Sequence, residues 1–309
     1  MRVLVLQRRA LGDALYALAV GLLLKRQGHE VALLAPPPLK PLALNEGLKF
    51  IPYESLKTAL RAVRSFKPEL LLDYEATLRT YPLALLSGAP LRYAFYKKRR
   101  ERYLWPVYNR LKPFKDYGFT LWDRLELIRD LGFKPEEWKK EKRLVYLSDE
   151  PPGDYLVFCP KGKISTKSLT ADGAAALARA LREAGFKVVT AVEPAERAYA
   201  DELRRRGEEP FVGGLEAFYE LIRKSGGVLS VESFPYHLAL LTNRRAVVLL
   251  QGYGRWIKEE LPQLAYVGPF VSCGPCYRRV CPTGGYECSY ELDEEAVVRA
   301  VKRHIKLIK

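Results

Sequence analysis

Asp13 is the residue in this chain best placed to do acid–base chemistry. Gly12-Asp13 follows the apolar run Arg2-Val3-Leu4-Val5-Leu6-Gln7 and leads into the aliphatic segment Ala14 to Leu24. A strand that passes through a short loop into a helix is the opening unit of a doubly wound α/β domain, whose ligands sit at the carboxyl ends of the strands. A carboxylate in that first helical turn is a candidate general base. On this motif alone the better reading is that it caps or charge-matches the positive end of the helix, and the rest of the chain shifts the balance. A second candidate is the loop from Pro160 to Ser168, where Lys161, Lys163 and Lys167 stand among Gly, Ser and Thr ahead of a helix start. Backbone N–H groups and the helix dipole there suit a diphosphate. The loop lacks the spacing of a P-loop, so ATP hydrolysis is not expected. A third is Val231 to His237, a strand-to-helix passage in which Ser233 would be the N-cap. Only three histidines occur in the chain, and His237 alone falls in such a ligand loop.

Four of the five cysteines, Cys273, Cys276, Cys281 and Cys288, fall in one short segment with Pro275, Pro282, Gly284 and Gly285 between them. Four thiols so close suit one structural tetrahedral zinc. Two disulfides and free thiols are the rival readings. A closed four-cysteine site leaves no position for substrate, so no catalytic role is assigned to it. Cys159 stands on an apolar strand and reads as core.

The elements that must hold these residues alternate between strand and helix. Strands are expected at 31–34, 70–73 and 92–95, with helices over 55–66, 77–87 and 119–131. The proline- and glycine-rich stretch Asp149 to Gly153 breaks the chain, giving domains 1–150 and 151–309. The second half repeats the pattern. Strands are expected at 155–159, 187–191, 228–231 and 246–250, with helices over 170–183, 194–206, 215–224, 234–242 and 293–306. The fold class is thus α/β, two Rossmann-like doubly wound domains whose strand ends face each other across a cleft.

A length of 309 residues with 48% hydrophobic residues supports two buried cores. No run reaches the roughly 18–20 apolar residues that span a bilayer. Arg8 and Arg9 sit ahead of an apolar run but behind a strand, the wrong order for a signal peptide, so a cytoplasmic location is expected. Few Asn and Met among many Lys, Arg and Glu suggest a thermophile's protein. The formal charge of +15 favours an anionic partner: a phosphorylated substrate, an inner-membrane surface or nucleic acid. The basic loop Lys97, Lys98, Arg99 and Arg100 would cradle a phosphorylated, lipid-linked acceptor at a membrane surface, or is simply solvated.

Taken together, Gly12-Asp13, the segment Gly88 to Phe95, Trp122-Asp123-Arg124, Lys167 ahead of a helix, and Glu232-Ser233 with Pro235 and His237-Leu238-Ala239 resemble family 9 glycosyltransferases, the ADP-heptose-dependent heptosyltransferases of lipopolysaccharide cores. The likeness covers nearly the whole chain. It implies a GT-B fold, with the acceptor bound mainly by the first domain, where Gly12 belongs to its site, and the nucleotide-sugar by the second. It also implies an inverting displacement that needs no metal cofactor. Asp13 would be the general base. Lys161 and Lys167 would meet the diphosphate, Glu193 the ribose, and Glu232, Ser233 and His237 would hold the donor. The family usually has Asp where this chain has Glu232, and Gly where it has Phe234. Gln251-Gly252-Tyr253-Gly254 stands where a Gly-Pro-Thr turn is common. A non-catalytic nucleic-acid or anionic-ligand binding protein and a GT-B nucleotide-sugar epimerase are the alternatives. Under the transferase reading no nucleic-acid partner is expected, and contact with the inner membrane surface would be peripheral.

Overall fold

The computed structural model describes residues 1–96 and 106–307. The chain divides into two compact units, Met1–Val145 and Tyr146–Lys309. Each is built on one six-stranded sheet with helices packed against it.

In the first unit the strands are β1 (Arg2–Leu6), β2 (Glu30–Ala35), β3 (Lys49–Pro52), β4 (Leu70–Asp73), β5 (Leu91–Tyr96) and β6 (Arg110–Pro113). Their order is β3-β2-β1-β4-β5-β6, and every pair is parallel. The central strands read as unbroken apolar runs because helices cover both faces of a parallel sheet. The helix Leu11–Arg26 is buried from Ala14 through Leu24, with no polar face to show to water. Helix Leu56–Phe66 starts at a reciprocal cap, Ser55 with Thr58.

The second unit repeats the plan with β7 (Tyr155–Cys159), β8 (Lys187–Val192), β9 (Phe211–Val212), β10 (Gly227–Val231), β11 (Arg245–Leu249) and β12 (Leu264–Val267). The order is β12-β11-β10-β7-β8-β9, again all parallel. Its core gathers Leu156, Phe158, Leu229, Val231, Val247 and Leu249 from the strands against Leu177, Leu181 and Val301 from the helices.

Strand order reverses between β1 and β4 in one sheet and between β7 and β10 in the other. At such switch points the two adjacent loops diverge and leave room for a ligand. Register places Leu6 beside Asp73 and Cys159 beside Ser230. The loops that start at Gln7 and Tyr74 therefore emerge side by side, as do those that start at Pro160 and Glu232.

Two expected helices are shorter. Of 77–87 only Tyr81–Leu86 is α-helical. Thr80 Oγ1 accepts from the Thr77 N–H and donates to the Thr77 carbonyl, holding a turn in place of the first helical residues. The segment 119–131 is α-helical over Thr120–Leu125 and continues as a tighter 3₁₀ turn over Glu126–Leu131, with Ile128 out of helical geometry.

Candidate active site

In the first unit, Asp13 lies in the first turn of the helix that follows β1, with Gly12 half-buried beside it. The turn into that helix runs through Ala10 at φ 56°, a left-handed conformation that costs a Cβ-bearing residue energy and marks functional loops. Arg124 Nη2 reaches Asp13 Oδ1 at 3.3 Å. The Arg124 side chain is 7% exposed while the Asp13 side chain is 36% exposed, so the cation is fixed and the carboxylate is reachable. The ring of Tyr74 lies 4.6 Å from the guanidinium carbon, and its hydroxyl donates to the Arg124 carbonyl.

The neighbouring loop is organised around a buried acid. Asp73 Oδ1 accepts the backbone N–H groups of Glu75 and Ala76, and Oδ2 accepts the Tyr108 hydroxyl. Burial pushes the Asp73 carboxyl above its usual range against the pull of these donors. The loop so shaped carries Glu75, whose carboxylate binds Arg8 Nη2 at 3.2 Å and accepts the Arg9 N–H. Burial pushes Glu75 upward as well, opposed by the Arg8 charge. Lys97, Lys98, Arg99 and Arg100 lie outside the described residues.

In the second unit, Lys167 closes a 3₁₀ turn, Ser165–Lys167, ahead of helix Ala171–Glu183. Its ammonium pairs with the Glu232 carboxylate across the β7/β10 switch point and lies 4.2 Å from the Tyr253 ring centroid. The Tyr236 hydroxyl donates to Glu232 Oε1 at 3.1 Å. His237 stacks on Tyr236 with ring centroids 3.9 Å apart. Burial, and then the charge of Lys167, holds the imidazole down at about 3.

Ser233 occupies the N-cap position of helix Phe234–Leu241 but makes no side-chain cap; its hydroxyl donates to the Val231 carbonyl instead. It remains close to the Lys loop, since a Cβ built on Gly162 would lie 3.6 Å from Ser233 Cβ and 3.2 Å from the Lys167 carbonyl. Phe234 is the first residue of that helix and half-buried.

Lys167, Glu232, Ser233 and His237 therefore come together. Lys161 turns aside to Glu196 at 3.9 Å and to the Tyr199 ring. Glu193, exposed at the end of β8, is near enough for its charge to add to the effect of burial on the Cys159 thiol, which is pushed far up. Sequence reasoning gave no role to Arg124, Glu75, Tyr236 or Tyr253. Arg124 and Tyr253 entered only as members of quoted motifs, and the signal for Glu75 was Tyr74-Glu75 standing directly after the strand that ends at Asp73.

All four clustered cysteines are free thiols, and among the described residues no group of three or more His, Cys, Asp or Glu side chains could hold a metal ion. Burial pushes the Cys288 thiol above its usual range, and the neighbouring Cys273, Cys276 and Cys281 add to that shift. Cys288 is buried while Cys273 is exposed. Cys281 Sγ is engaged with Thr283 Oγ1 at 3.1 Å and with the Tyr286 N–H at 3.4 Å, contacts that draw its thiol below its usual range. No helix among the described residues is long and apolar enough to cross a membrane.

The family model for glycosyltransferase family 9 (heptosyltransferase) matches residues 56–255, more than half of the chain. The chain belongs to glycosyltransferase family 9. The match includes Arg124, Lys167 and Glu232, whereas Asp13 and the cysteine segment lie outside it. Among solved structures the chain is similar to E. coli heptosyltransferase WaaC with ADP, at 16% identity and a TM-score of 0.73 over 98% of this chain and 97% of that one. It is similar to E. coli ADP-heptose lps heptosyltransferase II at 15% identity and a TM-score of 0.72, covering 98% of both chains. A third, the iron-containing dodecameric glycosyltransferase TibC from enterotoxigenic E. coli, aligns at 13% identity and a TM-score of 0.55 over 98% of this chain and 75% of that one. At these identities the likeness is one of fold, and that fold is GT-B. No curated protein matches the chain in sequence. Family membership makes this family 9 protein a glycosyltransferase.

Proposed function

We propose that this family 9 enzyme transfers heptose, with inversion, from an ADP-linked donor to a hydroxyl of a lipid-linked acceptor of the lipopolysaccharide-core type, working peripherally at the cytoplasmic face of a membrane. The observation that carries this reading is Asp13, a reachable carboxylate at the switch point of the first sheet, fixed by Arg124. Asp13 removes the acceptor hydroxyl proton as that oxygen attacks the anomeric carbon. The bond to the diphosphate breaks on the opposite face, which inverts the configuration.

Lys167, at the switch point of the second sheet, offsets the charge that develops on the departing diphosphate. With this cation in place the displacement needs no metal, and the enzyme works in the presence of a chelator. Glu232 and Tyr236 steer the ammonium, Ser233 and Gly162 bring backbone close to it, and neutral His237 packs behind. Glu193 and Lys161 extend the donor site toward the nucleoside, while Gly12 and the basic residues Lys97 to Arg100 serve the acceptor. The first unit thus receives the acceptor and the second the nucleotide-sugar.

The test is transfer from ADP-heptose to a core acceptor by the wild type and by Asp13→Asn. A positioned base typically contributes ~10² to 10⁴ in rate. A loss of that size with unchanged ADP binding supports the assignment. A fully active variant, or an epimerised nucleotide-sugar as the sole product, overturns it.

A further inference from the structure

The turn that carries Lys167 is mounted on the cysteine-bearing segment. Thr166 Oγ1 donates to the Arg278 carbonyl, and Ser165 Oγ donates to the Arg279 carbonyl at 3.3 Å. The Gly252 N–H donates to the Thr166 carbonyl, and the Tyr277 N–H donates to the Gly252 carbonyl at 2.7 Å. From the other side the Thr170 N–H donates to the Ser289 carbonyl, and Ser289 Oγ to that of Ser165.

At the centre of this mount stands Tyr277. Its ring meets Tyr253 edge-on, with centroids 5.9 Å apart and planes at 76°, and Tyr253 is the ring beside the Lys167 ammonium. Tyr277 adopts φ 55° although it bears a bulky side chain. Left-handed backbone at such a residue persists only where its surroundings impose it, and it clusters at ligand sites. Room for the ring depends on Gly254, where a Cβ would collide with the Tyr277 hydroxyl. The residue is 60% exposed, so burial of apolar surface does not explain its place.

We propose that Tyr277 is a positioning residue for Lys167: by buttressing Tyr253 it sets where the ammonium lies and so tunes affinity for the donor's diphosphate. This rests on the donor-site reading above. A cation–aromatic contact of this kind changes affinity by about three- to tenfold.

The experiment is calorimetric titration of ADP into the full-length protein carrying Tyr277→Ala, Tyr277→Phe, Gly254→Ala or Lys167→Ala, and into the double variants with Lys167→Ala. Tyr277→Ala and Gly254→Ala each weaken ADP by about three- to tenfold, and Tyr277→Phe, which keeps the ring edge, binds as the wild type. Both losses vanish in the Lys167→Ala background, which a merely structural defect would not do. Equal losses with and without Lys167, or undiminished affinity in Tyr277→Ala and Gly254→Ala, sink the inference alone. Undiminished affinity in Lys167→Ala sinks the donor-site reading, and the inference with it.

Discussion

Arg124 and Asp13 are separated by 111 positions in sequence, yet the guanidinium of one lies 3.3 Å from the carboxylate of the other. A buried planar cation stacked on Tyr74 offers its fork in one direction, so Asp13 is held in orientation while its outer face stays open. Arg124→Met should therefore lower kcat by about tenfold or more, since a loosely held group loses the benefit of near-attack geometry. ADP affinity should not change. Arg124→Lys should recover little, because a flexible ammonium cannot both stack and fork. Steady-state kinetics with varied donor and acceptor check this; a loss confined to donor KM would contradict it.

Glu232 holds Lys167 when no diphosphate is present, and both side chains are largely buried, 6% and 17% exposed. Glu232→Gln leaves the ammonium without its counter-charge and should cost about 1–3 kcal/mol, below the 3–5 typical of a fully buried pair because Lys167 retains some solvent. A phosphate replaces the missing charge. ADP should accordingly raise the melting temperature of Glu232→Gln more than that of the wild type. Thermal shifts at the same ADP concentration decide it, with about 2.7 kcal/mol the reference stabilisation when that concentration is a hundredfold above the wild-type Kd.

His237 is buried and its pKa is held at about 3, so it is neutral throughout the range in which the enzyme would be assayed. In the unfolded chain it titrates near 6.5. Below that pH the unfolded state binds the extra proton, so stability falls as the solution is acidified from about 6.5 toward 3. At pH 5 the loss from this residue is about 2 kcal/mol. His237→Gln should flatten the dependence of denaturation midpoint on pH between 7 and 5. The pH–rate profile should show no limb that disappears with this substitution.

Asp73 shapes the loop that carries Tyr74 and Glu75. Asp73→Ala strands two backbone N–H groups and the Tyr108 hydroxyl, at a cost of about 3 kcal/mol. Asp73→Asn keeps an acceptor for the two N–H groups, and the Tyr108 hydroxyl can rotate to accept from the amide, so it should lose much less. Burial raises the native carboxyl above its unfolded value, so the folded state binds the proton more tightly. The stability this provides is lost as pH rises through the folded pKa. Asp73→Asn should remove that decline with rising pH, which denaturant titrations at several pH values would show.

The central strands were legible in the amino-acid sequence, and the edge strands were not. Sequence reading located β1, β2, β4 and β5 of the first sheet and β7, β8, β10 and β11 of the second. The four it passed over, β3, β6, β9 and β12, are the outer strands of the two sheets. A central strand of a parallel sheet is covered on both faces and both sides, so it reads as a mostly apolar run. An edge strand has one free side and can read Lys-Phe-Ile-Pro or Arg-Leu-Lys-Pro, which no periodicity betrays.

The same division runs through the site. Asp13 and Lys167 were visible because each depends on local order: an apolar strand, a short loop and a helix start. Arg124 on Asp13, Glu232 on Lys167, Glu75 on Arg8 and Tyr277 against Tyr253 depend on which loops become neighbours. Loop neighbours follow from strand order, and strand order is set by how crossovers pack helices onto both faces of each sheet. Local sequence determined where the reactive groups stand. Only the tertiary structure decided what each is paired with, because those partners are brought together by long-range packing.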